Sequence, residues 1–142
     1  MPQQQQQSTR AILEDMIDAY QRADNDRLAA HIHDDIDWLF HAPISFFPFA
    51  GARRGKAEVF KGLAQMYQLF RPVRYEVQIV VVEGDRSATL CDAQLEQRAT
   101  GRIISSRIAN FQRFRDGLMV EYRGFTDSFD SVEQVVGREL DA

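Results

Sequence analysis

The spacing of apolar residues changes at Pro72 of this 142-residue sequence, and the change restricts the folds that the chain can adopt. Before Pro72, apart from a short alternating run at residues 36–40, apolar side chains recur every three or four positions, which is the period of an amphipathic helix. After Pro72 they alternate from Val73 to Val81, which is the period of a half-buried strand. Because helices come first and strands then follow one another, the sequence predicts an α+β fold rather than a sheet of alternating strands and helices.

Cap and turn residues bound the predicted elements. We expect a first helix from Ser8 or Thr9 onward, a second from residue 25 or 26 to about 33–35, and a third over 56–69. A closing helix begins at Asp130, which forms a capping box with Glu133, and ends at Gly137. We expect strands at 36–40, 73–83, 87–98, 102–115 and 118–125, with a phenylalanine-rich loop over residues 42–55.

The predicted strands are too long for a flat sheet in a domain of this size. Strands of about 12–14 residues span roughly 40–46 Å at about 3.3 Å per residue, so the antiparallel sheet must curve. A curved sheet wrapped around the N-terminal helices encloses a space on its concave side. We take that space as the candidate site.

Length and charge narrow the class of protein. The glutamine run at residues 3–7 has no apolar side chain to bury, so residues 1–8 are predicted to be disordered, residues 9–137 to form one domain and residues 138–142 a tail. The net charge of −4 argues against nucleic-acid binding. We find no apolar run long enough for a membrane span and no secretory signal, so we expect a cytoplasmic protein.

Two segments resemble a known family. They are FPFAGARRGKAEVFKGL, residues 47–63, and NFQRFRDGLMVEYRGFTDSFD, residues 110–130. With the order of elements, they resemble the SnoaL-like, ketosteroid isomerase-like branch of the nuclear transport factor 2-like superfamily. The resemblance implies a cystatin-like cone, a homodimer formed through the sheet face, and a pocket for a small apolar molecule without a metal or other cofactor.

The resemblance also bears on catalytic residues. The base of ketosteroid isomerases falls at Phe40, which cannot transfer a proton, and their neutral aspartic acid falls at Asn110, whose amide can still donate a hydrogen bond. Their tyrosine donor falls near Met16, one helical turn before Tyr20. The late carboxylate of limonene epoxide hydrolases and polyketide cyclases matches Asp127.

The residues themselves give two candidates for acid–base catalysis. Asp127 continues the alternation of Glu121, Arg123 and Phe125, so it faces the cavity if that face of the last strand points inward. Its alternative roles are to cap the closing helix or to form a salt bridge with Arg123 or another neighbour. His41 follows the first strand beside the aromatic loop, and it is either a pocket residue or a surface histidine.

Aromatic and amide side chains are the candidates for ligand binding. Trp38 and Phe40 share a strand face and either wall a pocket for a flat ligand or fill the core. Asn110 shares a face with Phe114, and its amide contacts either a ligand or a neighbour in the sheet. Tyr20 and Tyr67 are helical phenols that can point into the cavity. The segment HIHDDIDWLFH, residues 31–41, lacks the spacing of a metal site, so we predict no metal there.

Two functions remain open. One is a cofactor-independent acid–base enzyme of isomerase, cyclase or dehydratase type acting on an apolar, polyketide-like or steroid-like molecule. The other is a ligand-binding or protein-interaction module with the same fold and no chemistry.

Overall fold

The computed structural model describes residues 2–140, which form four helices and one six-stranded sheet. The helices are α1 (Pro2–Gln21), α2 (Asn25–Ala29), α3 (Lys56–Leu69) and α4 (Ser128–Val136). The strands are β1 (Ile32–His41), β2 (Gly51–Arg54), β3 (Phe70–Glu83), β4 (Arg86–Gln97), β5 (Ile103–Arg115) and β6 (Leu118–Thr126). Among residues 2–140, no helix combines the length and the apolar character that crossing a bilayer requires.

The sheet has the strand order β2-β1-β6-β5-β4-β3, and the predicted α+β fold is confirmed. Strands β3 to β6 form the expected antiparallel meander, whereas β1 runs parallel to β6. Three pairings contain register shifts, at Ile32/Asp37, Pro72/Arg74 with Val77/Ile79, and Arg113/Phe114. Such irregularities bend a strand and increase its twist, so they help the long strands to curl.

The first helix begins earlier than the sequence predicts. Residues 2–8, expected to be disordered, belong to α1. Glutamine has a favourable helix propensity, and extending a helix already fixed by packing avoids the cost of nucleation. The hydroxyl of Thr9 donates to the carbonyl oxygen of Gly84 at 2.8 Å, which fixes this helix on the β3–β4 hairpin. In the predicted C-terminal tail, the N–H of Leu140 donates to the Glu133 carboxylate at 2.7 Å. Residues 1, 141 and 142 lie outside the described residues.

The first strand is longer than predicted and has an unexpected neighbour. Helix α2 ends at Ala29, so Ile32 lies in β1 instead of on a helix. Strand β2, predicted as loop, pairs with β1 from Asp37↔Arg54 to Phe40↔Gly51. A four-residue edge strand arises from this non-local pairing, which local patterns do not reveal.

Helix α4 begins at Ser128 rather than at Asp130, and Asp127 is its N-cap. The Asp127 carboxylate accepts a hydrogen bond of 3.1 Å from the N–H of Asp130. Gly137 ends the helix, as predicted, in the left-handed conformation with φ of 76°, which glycine adopts without steric cost. The capping role, one of the alternatives for Asp127, is the one that this geometry supports.

We predict that Asp127→Ala lowers the free energy of unfolding by about 0.5–2 kcal/mol, because the substitution removes the cap of α4. Thermal and urea denaturation measure the effect. Asp127→Asn is the matched control and should retain most of the stability, since asparagine caps as well as aspartate does. Equal stability of Asp127→Ala and the wild type would contradict the assignment.

Candidate functional site

The concave face of the sheet and helices α1 and α3 enclose a cavity of about 240 Å³. The wall is mainly aliphatic and aromatic and includes members of both buried clusters of the core. Its apolar side chains include Leu13, Met16, Ile17, Trp38, Phe40, Phe47, Phe49, Val59, Phe60, Leu63, Met66, Ala93, Leu95, Ile104, Ile108 and Met119. A concave, mainly apolar cavity with a few polar groups is typical of a small-molecule site.

The polar groups in the wall are hydroxyls, amides and two guanidinium groups. They belong to Tyr20, Tyr75, Tyr122, Asn110, Gln112, Ser106, Thr126, Ser131, Arg53 and Arg74. Of the residues that the structure describes, no aspartate, glutamate, histidine or lysine lines the cavity. The wall therefore offers neutral hydrogen-bonding groups and no carboxylate or imidazole for proton transfer.

Burial keeps the three phenols of the wall protonated. Loss of solvent raises the pKa of Tyr20 and Tyr122 far above the ordinary value for tyrosine, and nearby acidic groups add to the shift. Burial also raises the pKa of Tyr75, and the charge interaction with the Cys91 thiol raises it further. At neutral pH these side chains are hydrogen-bonding phenols rather than bases.

Asn110 is buried and fully engaged within the sheet. Its side-chain amide donates to the hydroxyl oxygen of Thr89 at 3.2 Å and to the sulfur of Cys91 at 3.6 Å. Its oxygen accepts a hydrogen bond from the hydroxyl of Tyr122. Of the two alternatives, contact with a ligand or with sheet neighbours, the structure shows the second, although Asn110 also lies in the cavity wall.

Two stacked aromatic rings form one side of the cavity. The rings of Trp38 and Tyr122 lie nearly parallel, with centroids 3.7 Å apart. Gly124 makes the neighbouring wall possible, because a Cβ atom there would lie only 2.5 Å from Cδ2 of Phe40 and would also collide with the Tyr122 ring. The glycine thus allows Phe40 and Tyr122 to approach the same stretch of backbone.

The two arginines of the wall are already engaged by the protein. Arg53 donates to the carbonyl oxygens of Pro48, Phe49 and Glu58, and it also donates to the Gln65 side chain at 2.8 Å. The cations therefore hold parts of the structure together: Arg53 ties the phenylalanine-rich loop to α3, and Arg74 pairs with Glu76.

Four of the residues predicted for ligand binding line the cavity. Trp38, Phe40, Asn110 and Tyr20 all contribute to its wall. Trp38 and Phe40 alternate along β1, so the spacing that placed them on one strand face also places them together on the concave side.

The other predicted site residues lie outside the wall. Phe114 is buried in the core beside the cavity, and Tyr67 is half-buried on α3. His41 is exposed on the opposite face of β1 from Phe40, and its ring stacks on Phe125 with centroids 4.3 Å apart. Asp127 is exposed at the N-terminus of α4. The structure therefore does not bring the two predicted catalytic residues to the cavity.

The orientation of β6 explains why Asp127 does not reach the cavity, which the sequence predicts only for an inward-pointing face. The face carrying Arg123 and Phe125 points outward, and the cavity receives Tyr122 instead. A shift of one residue exchanges the two faces of a strand completely. The sequence analysis also missed Tyr75, although it lies in the alternating run after Pro72 and its spacing could have identified it.

The histidine and aspartate side chains of residues 31–41 alternate between the faces of β1 and contact separate partners, so they do not form one cluster. His31 contacts Asp15 at 2.7 Å, Asp34 pairs with Lys56 at 3.4 Å, and Asp37 pairs with Arg123 at 3.1 Å. Across residues 2–140, no three such side chains converge as metal ligands.

Comparison with known proteins identifies the family. The family model of the SnoaL-like domain matches residues 13–122. A protein from Rhodopseudomonas palustris, named as a candidate isomerase, is 36% identical, with a TM-score of 0.80 over 92% of this chain and 97% of that chain. The sequence has no significant match among the curated proteins.

More distant structures share the fold. An NTF2-like protein from Burkholderia pseudomallei is 17% identical, with a TM-score of 0.83 over 90% of this chain and 97% of that chain. AclR from Streptomyces galilaeus, named as a candidate hydroxylase, is 19% identical, with a TM-score of 0.76 over 96% of this chain and 89% of that chain. The chain thus belongs to the SnoaL-like family and has the NTF2-like, ketosteroid isomerase-like fold.

Proposed function

We propose that this protein binds a small, flat, uncharged and largely apolar molecule in the cavity on the concave side of its sheet. The observation that carries the proposal is the composition of the wall, which combines aliphatic and aromatic side chains with neutral phenols. Apolar walls with a few oriented polar groups are typical of small-molecule sites.

The dimensions and the chemistry of the wall favour this class of ligand. The stacked Trp38 and Tyr122 present aromatic surface, which favours a planar guest. An apolar cavity of about 150 Å³ accommodates benzene, so by proportion 240 Å³ suits about ten non-hydrogen atoms. A charged ligand is disfavoured because burying an unpaired charge is costly, and Arg53 already has protein partners.

Binding without proton transfer is the function that this geometry supports best. Catalysis of isomerase, cyclase or dehydratase type needs an acid or base within hydrogen-bond reach of the ligand. Asp127 and His41 are exposed outside the cavity, and no carboxylate or imidazole in the described part of the chain lines it. The phenols of the wall have raised pKa values and stay protonated at neutral pH, so they do not act as bases there.

A second element of the proposal is a homodimer formed through the convex face of the sheet. The register aligns Val81, Ala88 and Phe111 in one cross-strand row, and Ile79, Leu90, Ala109 and Phe125 in the next. Phe111 is 50% exposed and Ile79 is 51% exposed. A contiguous apolar patch on a sheet face that no described helix covers is typical of an interface, and a second copy would present the same patch.

We predict that the cavity binds tetralin, an apolar bicyclic probe, and that Ala93→Leu weakens this binding by about tenfold or more. Leucine would fill part of the cavity at Ala93, and overpacking of this kind costs about 1–3 kcal/mol. The emission of Trp38, the single tryptophan, reports binding from within the wall. Ala64→Leu, on an exposed position of α3, is the matched control and should bind normally. Absence of saturable binding to the wild type would refute the proposed function.

We predict that Phe111→Glu converts a dimer into a monomer in sedimentation velocity experiments, because the carboxylate would be buried at the centre of the apolar patch. Phe129→Glu changes an equally exposed phenylalanine on α4 and should leave the dimer intact. A monomeric wild type, or a dimer that survives Phe111→Glu, would show that the convex face is not the interface.

A further inference from the structure

His41 lies at the end of one of the two apolar rows on the convex face of the sheet. The register of the strands runs along this row from His41 through Phe125, Ala109 and Leu90 to Ile79. The ring of His41 stacks on the ring of Phe125, with an angle of 9° between the planes. Both side chains are exposed. The imidazole therefore belongs to the apolar patch that we propose as the interface with a second copy of the chain.

The charged side chains that border the apolar rows are paired within the chain. Arg123 of β6 contacts Asp37 of β1 at 3.1 Å, and Arg107 of β5 contacts Asp92 of β4 at 3.4 Å. The remaining charged side chains of β2, β5 and β6 near these rows lie in the row of Asp37, and they are Arg54, Arg113 and Glu121. Because both signs of charge are present and paired, two identical faces can meet without an excess of like charge, which suits a second copy as the partner.

His41 has no anionic partner of its own. Among the described histidines, His31 is the one that contacts a carboxylate, that of Asp15 at 2.7 Å. The loop over residues 42–50, which follows His41, contains no titratable side chain. The carboxylate of Asp127 caps α4. A proton on His41 therefore adds a positive charge to the apolar patch, and no ion pair within the chain neutralises it.

We propose that His41 makes self-association through the convex face depend on pH, so that two copies associate while the imidazole is neutral and separate when it is protonated. The switch rests on the dimer of the proposed function and names the group that regulates it. Histidine suits this role because its charge ordinarily changes between about pH 5 and pH 8.

The direction of the effect follows from burial of the imidazole. A neutral ring stacked on Phe125 packs against a partner as an aromatic side chain, whereas a protonated ring would be a buried charge without a counter-ion, which is costly. The dimer therefore binds fewer protons than the separated chains. Its stability is complete above the pH range in which the imidazole takes up a proton, and it is lost as the pH falls through that range.

The test measures the dimer dissociation constant of the full chain by sedimentation velocity at pH 7.5 and pH 5.5. Excluding the proton from one histidine changes an equilibrium by about tenfold over this interval, and a symmetric dimer contains the residue twice. We therefore expect the dissociation constant of the wild type to rise by about tenfold to a hundredfold on acidification. A constant that falls on acidification would overturn the proposal, because it would place a carboxylate opposite His41.

Two substitutions at His41 separate its charge from its shape. His41→Phe keeps an aromatic ring that cannot be protonated, so its dissociation constants at the two pH values should agree within about twofold. His41→Lys carries a charge at both pH values and should weaken the dimer at both. His33→Gln is the matched control, since His33 lies eight residues earlier on β1 and accepts the N–H of Asp35 at 3.0 Å. It should keep the pH dependence of the wild type.

A calorimetric measurement needs no variant. Dilution of the wild-type dimer at pH 6.5, in buffers that differ in their enthalpy of ionisation, should show that protons are taken up when the two copies separate. Dissociation without proton uptake would overturn the role of His41.

The outcomes distinguish the switch from the dimer itself. A wild type that is monomeric at pH 7.5 would overturn the dimer of the proposed function, and the switch with it. A dimer with equal dissociation constants at pH 7.5 and pH 5.5 would overturn the switch and leave the dimer standing. An acid effect that persists in His41→Phe would likewise overturn the switch, because another group would then carry the proton.

Discussion

The length of the strands is the constraint on which the rest of this structure depends. Strand β3 has 14 residues and would span about 46 Å if it were flat, whereas a compact sphere with the radius of gyration of about 14 Å expected for 142 residues is only about 37 Å across. The sheet must therefore curl, and register shifts with extra residues in β3 and β6 help it to do so. Helices α1 and α3 cover the concave side, and the cavity is the space that their side chains leave unfilled.

On the concave face, the polar side chains around the cavity form hydrogen bonds with one another across the sheet. Ser87 donates to Gln112 at 2.6 Å, and Asn110 binds three neighbours across two strands. Among the described residues, every buried side-chain nitrogen and oxygen has a hydrogen-bond partner. Buried polar groups that are satisfied in this way keep their orientation, so Tyr75 and Tyr122 are fixed before any ligand arrives.

The two faces of the sheet suit different tasks. The concave face presents phenols and an amide inside an apolar enclosure, which is the basis of the proposed ligand site. The convex face presents exposed residues such as Phe111 and Phe125, whose rings also pack against each other with centroids 5.9 Å apart. His41 belongs to this second face through its stacking on Phe125, and Asp127 belongs to a helix cap. Neither residue needs a catalytic role to account for its contacts.

Local signals in the sequence determined the elements of the fold. Gly55 and Pro72 bracket α3, which spans the predicted residues 56–69, and the turns at Gly84 and Gly117 separate the strands of the meander. These residues act through backbone conformation, so their effect is visible without knowledge of distant neighbours. The alternation along β1 likewise brought Trp38 and Phe40 to the cavity.

Only the tertiary structure decided which face of each strand lines the cavity and which residues meet there. On β6, Tyr122 and Phe125 lie on opposite faces and both are large and aromatic, so a period of two does not reveal which one points inward. A chain of hydrogen bonds from Tyr122 through Asn110 and Cys91 to Tyr75 joins four strands, β3 to β6, through side chains that lie 12 to 19 residues apart in sequence. The sequence alone therefore determined the elements and their order, because those depend on local backbone preferences. The structure decided the site, because a site depends on cross-strand register and on the curl of the whole sheet.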